Sequence, residues 1–331
     1  MRRLVSAVKS HPETTSAGAI FAAVYGLLWV ASPFERSLYS VQNFSVLLAP
    51  LALAAVGTTL VLVTGGFDVS VAGTISLASA LTAAWSAPGD GAPWLRLALI
   101  VLVGVAAGLV NGILVASGLQ SLAVSVATFT VLSGLALVIL RAPGGNVPPP
   151  LIALVNSSAG PVPVPAACLV LVGAAWCAFT KTRTGTAAFA IGADLPSTAL
   201  SGVRIMPVQL FVYSAAGGFY ALAGIFLAAG SRSGDPAAGT PFMLSAFSAM
   251  ALGLVSFKGG RGSAVAAMLG AGTVMALPKT LFAVGIADFW AGICQSAVIL
   301  IALAIPLLAG KLNARRRQAA VSQPGGAADP A

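Results

Sequence analysis

Long apolar stretches, separated by short polar segments, run through nearly the whole chain. A run of about 18 or more apolar residues is the pattern of a transmembrane helix. Strands of a membrane barrel would instead alternate polar and apolar residues over about 10 positions. The pattern therefore predicts an all-α, polytopic membrane protein with about ten transmembrane helices, at 17–32, 44–64, 69–86, 95–116, 121–140, 163–180, 207–229, 241–257, 263–283 and 289–309.

The first stretch follows three basic residues and so has the outline of a signal peptide. Because one span after another follows it, we interpret it as a retained first helix, with cleavage as the alternative. The predicted domains are an N-terminal segment at 1–16, a transmembrane domain at 17–310, and a tail at 311–331 that is first basic and then disordered.

Composition agrees with this pattern and indicates an orientation. The 331 residues are 58% hydrophobic and 8% charged, with a net charge of +9, whereas soluble domains average about 25% charged residues. The basic residues flank apolar spans, so they indicate topology and not a nucleic-acid surface. With both termini cytoplasmic, twelve of the 17 basic residues lie on the inner side, as the positive-inside rule requires.

A polar break interrupts the apolar pattern between the second and third spans. Here Gly65 and Gly66 precede a single carboxylate, Asp68, and Ser70 follows. A carboxylate between two apolar spans needs a partner or a hydrated cavity, and paired glycines let the backbone leave helical geometry. Such breaks are common in transport proteins. The alternative is a tight cytoplasmic turn whose Asp caps the next helix.

Two connections are long enough to have structure of their own. The outer one, at 142–162, is rich in proline and is expected to lie extended over the outer face. The inner one, at 181–206, is too long for a tight turn, and Pro196 predicts a short helix that ends near Gly202.

Little in the sequence favours catalysis. The three cysteines lie inside apolar spans, the single histidine is His11 in the polar N-terminal segment, and no His/Cys/Asp/Glu cluster suits metal or acid–base chemistry. The chain is therefore predicted not to be an enzyme, and no metal site is predicted. Among polar residues inside the spans, Asn111 must face protein or water, and Thr128 is a further candidate. The predicted path or motif residues are Gly65, Gly66, Asp68, Ser70, Asn111 and Thr128.

Four separated stretches together resemble one protein family. They read LVTGGFDVSVAG at 62–73, NGILVASGLQSLAVSVATFTVLSGLAL at 111–137, TRTGTAAFAIGADLPSTALSGV at 182–203, and AAGTPFMLSAFSAMALGLVSFKGGRGS at 237–263. In this order and spacing they resemble the permease subunit of ribose/galactose-type (simple sugar) ABC importers. The resemblance covers most of residues 40–310.

The resemblance implies a set of partners in the cytoplasmic membrane of a bacterium. These are a second permease copy or a paralogue, a cytoplasmic ABC ATPase that carries ATP and Mg, and an extracytoplasmic solute-binding protein. The solute would be a sugar or a similar small polar molecule. The chain has no GxxxxGK[ST] phosphate loop, so ATP hydrolysis is expected on the partner chain and no cofactor is expected on this one.

The resemblance also assigns an ATPase-coupling loop within 181–206. The matching positions include Arg183, which could pair with an acidic residue of the ATPase or simply report topology. Asp194 stands where the family usually has Asn, and Ser197-Thr198 replace a usual Ala pair. These departures leave open which ATPase is accepted. The coupling-loop candidates are Arg183, Gly185, Gly192, Asp194, Ser201 and Gly202.

A second departure lies at the start of the eighth span. Family members commonly carry acidic residues just after AGT, where this chain has Met243 and Ser245, which puts an ordinary sugar substrate or full activity in question. The following GGRGS is intact, and Gly259, Gly260 and Arg261 predict an inner-side turn with a basic anchor.

Two other functional classes stay open. An ion-coupled secondary transporter needs ionisable groups in the membrane, and Asp68 is the only marginal candidate. A non-transporting membrane scaffold would be compatible with the missing acidic residues of the eighth span.

Overall fold

The computed structural model describes residues 12–85 and 92–286, together with isolated positions between 290 and 300. Helices dominate these ranges, with one short 3₁₀ turn at Pro33–Arg36 and one two-stranded ribbon. In chain order the elements are α1 Pro12–Ala31, α2 Leu38–Val63, α3 Ser70–Ala84, α4 Pro93–Ala116, α5 Ser121–Ile139, α6 Pro149–Val155, β1 Ser158–Ala159, β2 Val162–Pro163, α7 Val164–Phe179, α8 Arg183–Ala193, α9 Leu195–Leu200, α10 Ile205–Ser231, α11 Gly239–Leu252 and α12 Ala264–Ala283.

The all-α, polytopic prediction is confirmed at a coarse level. Within the described ranges, six helices are long and apolar enough to cross a membrane: α1, α2, α4, α5, α10 and α12. The α7–α8 pair makes a seventh if it counts as one span bent by 77°. The predicted spans up to 263–283 each coincide with a helix, whereas 289–309 lies mostly outside the described residues. The count of ten and the side of the termini stay predictions.

Three helices form the centre of the bundle. Most of α2 and nearly all of α3 are buried, and α10 packs against α2, α3 and α4. Helix α5 packs on α3, while α11, α12 and α1 cover the other side. Because α3 has 15 residues and a helix rises about 1.5 Å per residue, it falls short of the roughly 30 Å hydrocarbon core. It can lie in a membrane only because its neighbours surround it.

Glycines let the central helices approach closely. A Cβ at Gly104 of α4 would lie 2.4 Å from the Gly217 carbonyl oxygen of α10, and one at Gly217 would lie 2.1 Å from the Gly104 oxygen. Gly270 of α12 approaches the Ala249 carbonyl of α11 in the same way. The Gly/Ala-rich runs therefore serve helix packing, as small residues do in membrane bundles.

Two faces of the bundle are defined by its connections. The 140–163 face carries α6, the β1–β2 ribbon and a backbone bridge between Gly144 and Gly234. The prediction of an extended segment at 142–162 is wrong in part, because Pro149 begins α6. Proline suits the first turn of a helix, where its missing N–H leaves no bond unmade. The opposite, 181–206 face carries α8 and α9, and α9 is the short helix that Pro196 predicts.

One helix end is strained. Arg232 ends α10 with φ 57° and ψ 24°, a left-handed conformation that costs a non-glycine residue about 1 kcal/mol or more. Its side chain is exposed, so glycine loses little packing there. We expect Arg232→Gly to stabilise the fold by about 1 kcal/mol, measured by thermal unfolding in detergent. Arg141→Gly, at an exposed loop position without positive φ, is the control. Equal behaviour of the two variants would contradict the strain argument.

Candidate functional site

The break between α2 and α3 is a turn that requires glycine. Helix α2 ends at Val63, and the Gly65 N–H donates to the Leu62 carbonyl over 2.9 Å. Gly65 has φ +80°, a conformation that residues with a Cβ rarely adopt. At Gly66, a Cβ would lie 2.4 Å from the Tyr213 hydroxyl. Glycine is therefore required at Gly65 because of the backbone angle and at Gly66 because of the close contact with Tyr213.

Asp68 is a buried carboxylate, only 4% exposed, at the start of α3. Its Oδ1 accepts the Ser70 N–H over 2.9 Å and the Ser70 hydroxyl over 2.6 Å. Its Oδ2 accepts the hydroxyl of Tyr220, on α10, over 3.2 Å. The N-terminus of α3 adds a favourable dipole. Asp68 therefore accepts the first N–H of α3, as the capping alternative expects, and its carboxylate also bonds to a distant helix.

The Asp68 network continues across two further helices. Asn111 of α4 donates to the Ser70 hydroxyl oxygen over 3.0 Å, and Thr128 of α5 donates to the Asn111 side-chain oxygen over 2.5 Å. Every donor points towards the carboxylate, so the chain of bonds is polarised to hold a negative charge. We call Asp68, Ser70, Asn111, Thr128 and Tyr220 the Asp68 network. It joins α3, α4, α5 and α10.

Tyr220 is the member of this network that the sequence did not single out. A tyrosine in an apolar helix is usually a core residue, so Tyr220 was not a candidate. The available signal was spacing: Tyr213 and Tyr220 are seven residues apart and so share one face of α10.

The first turn of α5 holds the backbone of the break. The Phe67 N–H donates to the Ser121 hydroxyl oxygen over 3.0 Å, and the Ser125 hydroxyl donates to the Phe67 carbonyl over 3.3 Å. Because buried backbone groups outside a helix must find partners, these two serines permit an irregular segment inside the bundle.

Three separate glycine motifs meet at one junction on the 181–206 face. The Gly260 N–H donates to the Val63 carbonyl at the end of α2 over 3.0 Å. A Cβ at Gly192 of α8 would lie 2.0 Å from that Val63 oxygen, and one at Gly259 would lie 2.7 Å from the Gly65 Cα. We call Gly65, Gly192, Gly259 and Gly260 the glycine junction. It places α8 directly against the break that carries Asp68.

Helix α8 is fixed at both ends. Thr182 caps it by accepting the Gly185 N–H over 3.0 Å. A Cβ at Gly185 would lie 2.0 Å from the Phe179 carbonyl at the end of α7, so this glycine permits the sharp bend between α7 and α8. With Gly192 packed in the glycine junction, α8 is a short rod held between α7 and the break.

Asp194 joins α8 to α9 as the cap of α9. Its carboxylate accepts the Ser197 hydroxyl over 2.6 Å and the Ser197 N–H over 3.2 Å. Hydrogen bonds from Ser197 hold the pKa of Asp194 below its ordinary value. A lowered carboxyl pKa stabilises the fold above the ordinary pKa and stops doing so as the pH falls through the lowered one. The cap is therefore intact at neutral pH.

The remaining coupling-loop and turn candidates lie at the surface of the 181–206 face. Arg183 begins α8, Ser201 ends α9, Gly202 has φ +80°, and Arg261 follows the positive-φ pair Gly259 and Gly260. Around them, Leu200 is 90% exposed and Phe257 is 45% exposed. None of these residues belongs to the Asp68 network. They form a separate, mixed basic and apolar surface.

Most other polar residues of the spans bond to their own helix. Thr58 and Thr59 donate to carbonyls one turn back in α2, Thr130 does so in α5, and Ser248 does so in α11. This is the usual behaviour of hydroxyls in membrane helices. The Asp68 network differs because its side chains bond to one another and so connect four helices.

The two residues that depart from the family pattern in the eighth span lie in α11. Met243 is partly buried against the main hydrophobic core, and Ser245 is half-buried in α11. Helix α11 itself contains no acidic residue.

An apolar helical bundle of this kind is a polytopic membrane protein, and a polar break inside such a bundle is typical of transport proteins. Comparison with known proteins identifies which one: residues 40–303 match the family described as "Branched-chain amino acid transport system / permease component", and the chain belongs to this family. It is the permease subunit of an ABC importer, a multi-pass protein of the bacterial cytoplasmic membrane.

Relatives match over most of their length. The ribose import permease protein of Bacillus subtilis is 32% identical over 86% of this chain and 90% of its own. A probable ABC transporter permease of Sinorhizobium fredii is 32% identical over 91% and 90%. The ribose import permease protein of Escherichia coli K12 is 30% identical over 86% and 91%. No solved structure matches the chain significantly.

Proposed function

We propose that this chain forms the membrane path of an ABC importer for a sugar, most simply a pentose. The observation that carries the proposal is the glycine junction, because it joins an exposed loop helix directly to a polar break inside the bundle. Permeases of ABC importers work with an ATPase and a solute-binding protein in general. ATP and Mg would be held by the ATPase, since this chain has no phosphate loop.

The proposed orientation puts the 181–206 face in the cytoplasm. The bias of basic residues supports this, and so does the match of α8 and α9 to the coupling loop of the family. The 140–163 face would then meet the extracytoplasmic solute-binding protein.

The surface around α8 and α9 suits the ATPase. Arg183 offers a bidentate donor for a carboxylate, while Leu200 and Phe257 offer apolar contact. Exposed apolar groups beside charged ones are typical of protein interfaces. Asp194 and Ser197 lie at the surface of this same region, so they bear on which ATPase is accepted, whereas Thr198 is buried and donates to the Ala190 and Asp194 carbonyls.

The proposed path lies between this chain and a second copy or a paralogue. Only 28% of the α4 span and 22% of the α5 span are buried, although both carry polar residues. Thr128 is half-buried and Thr130 is exposed on α5. A partner packed beside α5 would enclose these hydroxyls, which suit a polyhydroxy solute.

The comparisons indicate two different classes of solute. The family description refers to branched-chain amino acids, whereas two of the relatives are ribose permeases. We favour a sugar because those relatives match over nearly the whole length of both chains.

Uptake by intact cells tests this function. A strain of the source bacterium without the gene would be complemented by the wild-type chain, and accumulation of radiolabelled ribose, xylose, galactose and leucine would be measured. We expect one of the sugars to depend on the gene. Dependence of leucine alone would overturn the sugar assignment, and dependence of none of the four would overturn both readings of the solute.

A charge reversal tests the ATPase surface. We expect Arg183→Glu to lower uptake about tenfold or more, because a reversed charge at a paired interface costs several kcal/mol. Helix α8 itself should be unharmed, since an acidic residue is favourable in the first turn of a helix. Arg183→Lys, which keeps the positive charge at the same position, is the matched control and should lose much less uptake. Uptake by Arg183→Glu at the control level, with equal amounts in the membrane, would contradict the assignment of this surface.

A further inference from the structure

Helix α3 has its two ends attached to opposite faces of the bundle. Its residues from Ser70 to Ala83 are all buried. At one end the break connects it to the glycine junction and hence to α8. No function has been assigned to its other half, which carries two buried serines that face α11 and the segment before it.

These two serines hold the 232–239 segment. The Ser79 hydroxyl oxygen accepts the Asp235 N–H over 3.0 Å, and the Ser76 hydroxyl oxygen accepts the Gly239 N–H over 3.0 Å. A Cβ at Gly239 would lie 1.7 Å from the Ala72 carbonyl oxygen, so the start of α11 rests directly on α3. Ser76 thereby supplies an acceptor for the first N–H of α11, which has no partner within the helix, and Ser79 holds the segment before it.

The same end of α3 also holds the other large connection of that face. The Asn146 N–H donates to the Ala83 carbonyl over 2.9 Å. Gly144 and Gly234 then exchange two backbone hydrogen bonds of 2.9 and 2.8 Å. Both connections of the 140–163 face are therefore fixed to each other and to α3.

We propose that α3 is a rigid link between the two faces of the permease, and that Ser76 and Ser79 are positioning residues for the 232–239 segment. A movement of α8 displaces the break through the glycine junction. Because α3 is a continuous buried helix, the displacement reaches the segment that its serines hold. Coupling of this kind requires a stiff element with contacts at both ends. For import, this link would carry a signal between the face that binds the ATPase and the face that binds the solute-binding protein. That part of the inference rests on the proposed function.

Hydrogen exchange on the full chain in lipid nanodiscs tests the link without any partner. We expect Ser79→Ala to raise exchange of the Asp235 amide, which it contacts, and also of the distant amides at 65–67 and 260, by about threefold or more. The reciprocal variant, Gly192→Ala, should raise exchange at 144–146 and 233–239, because coupling between two sites acts in both directions.

The controls separate coupling from lost stability. Ser248→Ala removes a hydroxyl that bonds within α11 and should change none of these amides. If Gly192→Ala fails to fold, the Ser79→Ala measurement decides alone. Wild-type exchange at 65–67 and 260 in Ser79→Ala would overturn the proposal, as would an increase spread evenly over α12. Neither result depends on the outcome of the uptake assay, so the exchange experiment tests the link independently of the proposed function.

Discussion

Replacing Gly192 with alanine is expected to lower uptake of the transported solute by about tenfold or more. The added Cβ would lie 2.0 Å from the Val63 carbonyl oxygen and 2.6 Å from the Gly260 nitrogen. Both are backbone atoms that pair with each other, so α8 must shift by roughly 1 Å or the pair must break. Displacements of about 1 Å remote from a reacting centre can cost enzymes about 100-fold in rate, and we expect a loss of similar kind here.

A second glycine-to-alanine variant is the control for this prediction. Gly26 in α1 is also inside a helix, and an added Cβ there meets nothing within 4 Å. Gly26→Ala should therefore transport like the wild type, with both variants present in the membrane at equal amounts by immunoblot. Normal uptake by Gly192→Ala would mean that the close contact at the glycine junction is not needed for transport.

Replacing Asp68 with leucine is expected to destabilise the bundle by about 3 kcal/mol or more. The change removes the acceptor of the Ser70 N–H and of the Tyr220 hydroxyl, and each buried donor left without a partner costs about 1–3 kcal/mol. The Ser70 hydroxyl also loses its acceptor, and the bond from Asn111 loses its polarisation. The midpoint of thermal unfolding in detergent measures the effect.

A graded series separates the parts of this effect. Asp68→Asn keeps one oxygen acceptor and the side-chain shape, and we expect a smaller loss. Tyr220→Phe removes one hydrogen bond and should cost about 1 kcal/mol. Thermal stability that ranks wild type, Tyr220→Phe, Asp68→Asn, then Asp68→Leu would fit the network as described. An Asp68→Leu variant as stable as Tyr220→Phe would contradict it.

The sequence predicted the helices well because apolar length is a local property. Its main error in the described ranges, the extended interpretation of 142–162, came from counting prolines without placing Pro149 in the first turn of a helix. The predicted span 241–257 also extends past the end of α11 at Leu252, because the apolar pattern continues beyond that residue.

Most members of the Asp68 network could be predicted from the sequence, but the contacts between them could not. Asp68, Ser70, Asn111 and Thr128 each attract attention as polar groups in apolar surroundings. That Asn111 bonds to Ser70 depends on how α4 packs against α3, and helix pairing is not encoded in local periodicity. Tyr220 was missed because a seven-residue spacing from Tyr213 is also usual for two aromatic residues of a core.

The glycine motifs show the same limit. Gly65, Gly259 and Gly260 were predicted as turns, and all three have positive φ. Gly192 has no such backbone requirement and was noted only through the family resemblance. Its role in packing becomes visible when the Val63 carbonyl is found against it.

The most direct test of the central claim asks which energy source drives uptake through this chain. Complemented cells would be depleted of ATP while the membrane potential is maintained, and in parallel treated with a protonophore while ATP is maintained. For an ABC importer we predict that gene-dependent sugar uptake stops on ATP depletion and persists with the protonophore. Uptake that persists without ATP and stops with the protonophore would contradict the account and would point to an ion-coupled transporter.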